Sequence, residues 1–274
     1  MILRPRNAPV TQESISPAQK EFLAAQLLHR RQVSVSRVML FILFLALWEL
    51  AAAFSWIDSF IFSSPSRIGR CLWDMALDGS LFVHTGVTLG ETVLSFLLVI
   101  LLGLAAALLL WLFPTLAQIL EPCLVMLNSL PKSALAPLLI VWLGSSTRTI
   151  VTAAVSVALF GSILTLHTGF CQTDPDKVRL IYSLGGGKKE VLTKVLLPAS
   201  IPLIISNMKV NIGLCLVGVI IGEFLSSRAG LGYLIIYSSQ VFQMNTLVAS
   251  IIVLCLMSVV LYQGIQWLEK KVSA

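Results

Sequence analysis

Residues 174–200 read DPDKVRLIYSLGGGKKEVLTKVLLPAS, and this basic stretch lies between two long apolar runs at about 148–170 and 203–225. A helix needs about 20 mainly apolar residues to cross the hydrocarbon core of a bilayer, and both runs reach that length. The stretch between them is too polar to lie in lipid, where unpaired polar groups are costly. The sequence therefore predicts two membrane spans joined by a polar loop.

The loop has the pattern of two short amphipathic helices separated by glycine. Val178, Ile181 and Tyr182 share one helical face, and a second apolar face follows within residues 191–196. The glycines at 185–187 break the helix between the two faces. Such a unit suits docking into a groove on a soluble partner, with its lysines at the rim. A helical hairpin that those lysines hold on the lipid surface is the alternative.

The composition places the whole chain in the membrane class. Of its 274 residues, 57% are hydrophobic and only 12% are charged, and the mean hydropathy is +0.91. A soluble domain carries about 25% charged residues. The formal net charge of +6 could suggest nucleic acid, but the basic residues cluster between the apolar runs, as in cytoplasmic loops. We expect membrane lipid around the chain and no nucleic-acid partner.

Four further apolar runs bring the predicted number of spans to about six. These runs lie at about 38–56, 87–112, 118–143 and 246–268. Pro131 and Pro137 are expected to interrupt the run at 118–143, and residues 57–80 are expected to form a loop. The predicted fold class is an all-α membrane protein.

The chain divides into three parts on this interpretation. Residues 1–37 are predicted as a cytoplasmic N-terminal segment, in which Ser16-Pro17 starts a short amphipathic helix over 17–31. An irregular basic tail is the alternative for those residues. Residues 38–268 form the transmembrane domain that contains the loop, and residues 269–274 form a cytoplasmic tail.

The distribution of lysine and arginine predicts the orientation, because these residues concentrate in cytoplasmic loops. Six precede the first apolar run, five lie in the loop at 174–200 and two lie in the C-terminal tail. The opposite side holds four: Arg67, Arg70, Arg148 and Arg228. We therefore expect both termini and the loop in the cytoplasm, which requires an even number of spans.

Polar residues inside apolar runs are costly, so they are candidates for lining a translocation pathway or gate. Asn128, Ser129 and Lys132 surround Pro131, which frees a backbone carbonyl and bends the helix. A kink that serves only helix packing is the alternative for this group.

A second set of candidates for the pathway or gate lies in the fifth span. Asn207 and Asn211 are four residues apart and share one helical face, so they either hydrogen-bond between helices or line a cavity. Glu223 lies at the far end of the same span, next to Arg228. Glu91 is expected near the start of the second span, where a carboxylate suits a helix N-terminus.

The sequence has no motif of a catalytic, metal or nucleotide site. The pattern GxxxxGK[ST] is absent, so the chain is not expected to hydrolyse ATP. The three histidines lack ligand spacing, and the five cysteines are widely spaced without a CxxC pair. We expect no catalytic residue, no metal and no cofactor bound by this chain.

The loop resembles the cytoplasmic coupling loop of binding-protein-dependent ABC importer permeases. That family's loop has a Glu-Ala-Ala start, a glycine a few residues later and an aliphatic-x-Leu-Pro end. Here SLGGGKKEVLTKVLLPASIP at 183–202 matches the glycine at Gly185 and the end at Leu197-Pro198. The start differs, because residues 179–181 read Arg-Leu-Ile. We expect Arg179 to meet either the ATPase or the lipid head groups.

Three further segments are similar to the nitrate, sulfonate and taurine branch of these permeases. They are SSPSRI at 63–68, SLPKSALAPLLIVWLG at 129–144 and GEFLSSRAGLGYLI at 222–235. Together with the loop they follow the family order over residues 38–268. The resemblance implies the type I ABC importer permease fold and assigns ATPase coupling to the following residues. They are Arg179, Tyr182, Ser183, Leu184, Gly185, Gly186, Gly187, Lys188, Lys189, Glu190, Leu197 and Pro198.

The resemblance also implies the partners and the location. The permease is expected as a homodimer in the bacterial inner membrane, with two copies of a separate ATPase that holds ATP and Mg. An extracytoplasmic binding protein would deliver the solute, which is a sulfonate, taurine, nitrate or similar. A vitamin precursor such as a pyrimidine or riboflavin is an alternative solute. An intramembrane enzyme, an ion channel and a secondary transporter are the alternatives from other classes.

Overall fold

The computed structural model describes residues 17–272, and every regular element within that range is helical. The chain divides between Pro65 and Ser66 into two units. The first unit holds α1 (Pro17–Ala53) and α2 (Ser59–Phe62). Residues 17–31 and most of the first apolar run belong to one unbroken helix, while the predicted cap at Ser16 lies outside the described residues.

The second unit begins with one helix that the sequence does not predict and a second helix that starts earlier than predicted. These are α3 (Pro65–Leu77) and α4 (Ser80–Leu112). The prediction of a loop over residues 57–80 is therefore wrong, because Pro65 opens a helix at a position where a missing N–H costs nothing. α4 ends just before Pro114, as the apolar run predicts.

The third apolar run forms a bent pair, α5 (Pro114–Ser129) and α6 (Lys132–Leu143). The two axes meet at an angle of 101°. The bend lies at Pro131, whereas Pro137 lies inside α6. The prediction of a second interruption at Pro137 is wrong, because this proline removes a single hydrogen bond of the helix and the remaining bonds maintain it.

The rest of the chain contains the loop and three long helices. The elements are α7 (Thr147–Cys171), α8 (Pro175–Ser183), α9 (Lys188–Val191), a π-helical turn (Leu192–Leu196), α10 (Leu197–Ser226), α11 (Leu231–Gln240) and α12 (Met244–Val272). Five helices are long and apolar enough to cross a membrane, and the bent pair brings the number to six. The prediction of an all-α protein with about six spans is confirmed.

Helices α7 and α10 pack at very short range because glycines face the neighbouring backbone. A Cβ on Gly218 would lie 2.5 Å from the Cα of Ala154, and one on Gly222 would lie 2.9 Å from the Cα of Ile150. Small residues four apart allow this close approach between membrane helices. Helices α7 and α10 therefore form a closely packed pair that runs from the loop at 174–200 to the opposite ends of the two helices.

Helices α10 and α12 are joined by an ion pair near the loop end of α10. The Nζ of Lys209 lies 2.5 Å from Oε2 of Glu269, and both side chains are mostly covered. Lys209 thus reaches a carboxylate near the C-terminal end of α12 and does not simply extend toward the membrane surface. This contact holds the last turns of α12 against the first half of α10.

Candidate functional site

The loop at 174–200 begins with a well-capped helix. The side chain of Asp174 accepts a hydrogen bond of 3.0 Å from the backbone N–H of Asp176, and Pro175 occupies the first helical position. These are the signals expected at a helix N-terminus. Residues 175–183 therefore form a defined helix, α8, as the sequence predicts for the first half of the loop.

Glycines end α8 with a specific hydrogen-bond pattern. Gly185 adopts a φ of +82°, and its N–H donates to the carbonyl of Tyr182 at 3.0 Å. The N–H of Gly186 donates to the carbonyl of Ile181 at 2.9 Å. This is the Schellman arrangement, in which a left-handed residue satisfies the last carbonyls of a helix. A Cβ on Gly186 would lie 2.6 Å from Cγ2 of Ile181. Glycine is therefore favoured at position 185 by the positive φ and at position 186 by the close contact.

The second half of the loop joins α10 directly. The N–H of Gly187 donates to Oε2 of Glu190 at 2.8 Å, which opens α9. Val191 and Leu196 are fully buried, and a π-helical turn at residues 192–196 leads into α10. Because Pro198 has no N–H, the widened turn compensates for a missing bond at this junction. The second amphipathic segment is thus an extension of α10, not a separate helix as predicted.

The loop exposes an apolar patch in a segment rich in basic residues. The patch consists of Leu180 and Leu184, which are four residues apart, and Leu184 reaches 75% exposure; Tyr182 is exposed as well. All five basic side chains of the loop are also exposed, and Arg179 lies 3.7 Å from Asp176. Such an exposed ion pair is worth only about 0–1 kcal/mol, so Arg179 can exchange it for another partner.

The structure brings the candidates around Pro131 together at the bend between α5 and α6. Lys132 donates from its Nζ to the backbone carbonyl of Asn128, so its ammonium group lies across the break. Ser129 is exposed and donates to the carbonyl of Val125 at 2.9 Å. Proline leaves carbonyls without helical donors, and Lys132 satisfies one of them. Asn128 and Lys132 are half-buried at this bend.

Asn207 and Asn211 are buried and share one partner on α7. Their Nδ2 atoms donate to Oγ of Ser162 at 2.7 Å and 3.0 Å. A Cβ on the neighbouring Gly161 would lie 3.2 Å from Oδ1 of Asn128, so Asn128 lies beside the same part of α7. The four-residue spacing correctly indicates a common face for the two asparagines, and that face lies against a neighbouring helix.

Replacing Ser162 by alanine should destabilise the protein, because two buried amide groups lose their acceptor. An unsatisfied buried group costs about 1–3 kcal/mol in soluble proteins, and interhelical bonds in membranes average about 0.6 kcal/mol. We expect a loss of about 1–2 kcal/mol, measured by thermal unfolding in detergent. Ser156→Ala is the matched control, since the hydroxyl of Ser156 bonds within its own helix. Equal unfolding temperatures for the two variants would contradict the bridging role.

Glu223 is fully buried and ties three helices together. Its Oε1 accepts from the hydroxyl of Thr88 on α4 at 2.7 Å, and its Oε2 accepts from the N–H of Gly232 on α11 at 2.6 Å. Thr88 in turn accepts from the N–H of Leu231 at 2.8 Å. The N–H of the preceding residue, Gly230, donates to Nδ1 of His84 at 3.0 Å. Sequence reasoning did not find Thr88 or His84.

Glu91 lies beside this cluster, and its position in α4 differs from the predicted one. Because α4 starts at Ser80, Glu91 is in the middle of the helix and not at its N-terminus. It is 5% exposed and interacts with Thr147 and Glu223. A cavity of about 370 Å³ opens next to it, at the end of α7 and α10 opposite the loop. Within residues 17–272 no group of three or more His, Cys, Asp or Glu side chains forms a metal site.

Known proteins agree with this architecture. A family described as "Binding-protein-dependent transport system inner membrane component" matches residues 99–274. A probable ABC transporter permease protein of Haemophilus influenzae is 31% identical over 224 residues, covering 82% of this chain and 91% of that protein. The putative aliphatic sulfonates transport permease protein SsuC of Bacillus subtilis is 26% identical, covering 83% of this chain and 82% of that protein.

Two further matches extend the comparison. The formylaminopyrimidine transport permease protein ThiX of Halalkalibacterium halodurans is 24% identical, covering 88% of this chain and 95% of that protein. Among solved structures, a chain of the MetNI methionine ABC transporter in inward-facing conformations matches with a TM-score of 0.64. It is 14% identical, and the match covers 72% of this chain and 98% of that chain, which supports the fold alone.

These matches exclude a catalytic role for the chain and favour none of the alternatives from other classes. The ATPase of such an importer is a separate subunit, and the similarity to the sulfonate and taurine branch is confirmed. The chain belongs to the binding-protein-dependent transport system inner membrane component family, and it is a multi-pass permease subunit of an ABC importer.

Proposed function

We propose that two copies of this permease form the translocation pathway for a small solute and that each docks a separate ATPase through its loop at 174–200. The glycine-capped helix α8, with its exposed apolar patch and basic rim, is the observation that carries the proposal. An apolar centre surrounded by charge suits a groove on a soluble partner. Both termini and the loop lie in the cytoplasm, in keeping with the lysine and arginine distribution.

The connection between the loop and the spans explains how a movement of the ATPase would reach the pathway. α9 continues into α10, and Val191 and Leu196 anchor this junction in the protein interior. α10 packs tightly on α7 through Gly218 and Gly222. Packed helices move as rigid bodies with discrete arrangements. ATP binding and hydrolysis, with Mg, take place in the partner subunit, and the loop transmits the resulting displacement to α10 and α7.

The pathway candidates divide into two groups in this proposal. Asn128, Ser129 and Lys132 lie at a bend where the helix is interrupted, and we assign them to the pathway. Asn207, Asn211 and Glu223 are buried in contacts between helices, and we assign them to holding the helices that form the gate. Irregular backbone inside a membrane protein is tolerated where it lines a cavity.

The proposed solute is a sulfonate, taurine, nitrate or a similar small solute, delivered by an extracytoplasmic binding protein. The similarity to a permease named for aliphatic sulfonates supports this choice. A vitamin precursor such as a pyrimidine or riboflavin is the second candidate, favoured by the similarity to a permease named for formylaminopyrimidine.

Charge reversal at Arg179 tests the docking proposal. The full-length permease is co-expressed with its ATPase in the native membrane, and we expect Arg179→Glu to lower both the co-purified ATPase and ATP-dependent taurine uptake without loss of membrane insertion. Arg70→Glu, at an exposed arginine on α3, is the matched control. If Arg179→Glu retains the ATPase, Arg179 meets lipid head groups instead, and the proposed contact is wrong.

A further inference from the structure

The cavity beside Glu91 has two buried polar atoms that lack a partner. Oε2 of Glu91 and Oγ of Ser226 have no hydrogen-bond partner among the described residues. Glu91 is 5% exposed and Ser226 is 8% exposed, so both belong to the protein interior. Buried polar groups are nearly always paired, and an unpaired acceptor facing a cavity indicates a missing ligand or water. Both residues line the cavity of about 370 Å³.

The lining of the same cavity also includes a group that attracts negative charge. Arg228 lines the cavity and has no ion pair with a carboxylate in the part of the chain that the structure describes. The 25-residue helix α7 starts there at Thr147, and the side chain of Ser146 does not cap its free N–H groups. A helix N-terminus attracts anions, because its N–H groups and its dipole point outward. Ser145 adds another hydroxyl to this lining.

The charged groups of the lining define the ligand. We infer that this cavity binds a small zwitterion, with its ammonium group at Glu91 and its acidic oxygens at Arg228. A simple anion would leave Oε2 of Glu91 unpaired, and a simple cation would make no use of the guanidinium of Arg228. A carboxylate and a guanidinium that line one cavity suit a short molecule with both charges, such as an aminoalkane sulfonate or a β-amino acid.

This inference rests on the proposed function and narrows its solute to the zwitterions among small organic acids. The cavity lies beside α4 at Val87 and Glu91 and at the ends of α7 and α10, opposite the loop that would dock the ATPase. Glu91 also interacts with Glu223, which holds α4, α10 and α11 together. A ligand in the cavity would therefore contact the same helices that are proposed to move with the loop.

Equilibrium binding to the full-length permease–ATPase complex in lipid nanodiscs tests the inference. The probes are taurine and β-alanine, which are zwitterions, and ethanesulfonate, which lacks the ammonium group. We expect the wild type to prefer taurine or β-alanine over ethanesulfonate by at least about tenfold, since an ion pair with the ammonium group adds more than 1.4 kcal/mol. Glu91→Gln should remove that preference. Arg228→Gln should lower the affinity for taurine and the affinity for ethanesulfonate by similar factors.

The matched control is Glu121→Gln, a change at an exposed carboxylate on α5 outside the cavity. It should leave all three affinities unchanged. A wild type that binds no zwitterion, or that binds taurine and ethanesulfonate equally, overturns the inference even if Glu91→Gln does not fold. If the ATPase co-purifies and drives uptake but the preference is absent, the inference alone fails. If the ATPase does not co-purify, the proposed function fails.

Discussion

Replacement of Gly185 by valine should reduce ATP-dependent uptake at least tenfold while the permease still inserts into the membrane. Gly185 has a φ of +82°, which a β-branched residue adopts only with strain. The left-handed conformation costs about 1–2 kcal/mol for a residue with a Cβ, and more for a branched one. Since about 1.4 kcal/mol is a factor of ten in an equilibrium, the native loop conformation would lose at least about tenfold in population relative to its alternatives.

The consequence is confined to the loop because no other atom lies within 4 Å of a Cβ at Gly185. The strain breaks the bonds from Gly185 and Gly186 to the end of α8, so α8 and the apolar patch lose their fixed position. The control is Gly264→Val on α12, where a Cβ also meets open space but φ is helical. Full uptake by Gly185→Val, at a level equal to the control, would show that the loop geometry is not required.

Replacement of Glu223 by leucine should have the largest effect on stability. The change removes the acceptor of the Thr88 hydroxyl and of the Gly232 N–H, and both donors are buried. An unsatisfied buried donor costs about 1–3 kcal/mol, so the two together cost about 2–6 kcal/mol. We expect a much lower unfolding temperature in detergent and little folded protein, with loss of the hydrogen bonds from α10 to α4 and α11.

Glu223→Gln separates hydrogen bonding from shape at this position. Glutamine keeps the size of the side chain and one acceptor, so we expect a loss of about half that of leucine. A second, independent variant is Gly232→Ala, because its Cβ would lie 2.7 Å from Oε2 of Glu223. It should destabilise the same contact. Normal unfolding temperatures for Glu223→Leu and Gly232→Ala would contradict the structural role of this cluster.

The sequence predicts the spans and the first half of the loop because both depend on local pattern. The apolar runs exceed the length needed to cross a bilayer, and Asp174-Pro175 and Gly185 carry the signals of a helix start and a helix end. Pro131 likewise predicts the bend in the third run. These features require no knowledge of which helices are neighbours.

The errors arise where tertiary packing decides the outcome. Helix α3 is shorter than a membrane span, and the polar residues and proline of this region suggested a loop. The partners of Asn207 and Asn211 could not be chosen, because Ser162 lies on another helix. Glu91 and Glu223 are far apart in sequence, so only the packing of α4 against α10 and α11 reveals their cluster.

Site-specific photo-cross-linking from Leu184 is the most direct test of the claim that the loop docks an ATPase. Leu184 is 75% exposed at the end of α8, and Leu77 on α3 is 73% exposed and serves as the control position. A photoreactive residue at position 184 in the native membrane should yield a cross-link to the ATPase subunit, and one at position 77 should not. Cross-linking of the ATPase from position 77, or to lipid alone from position 184, would contradict the account.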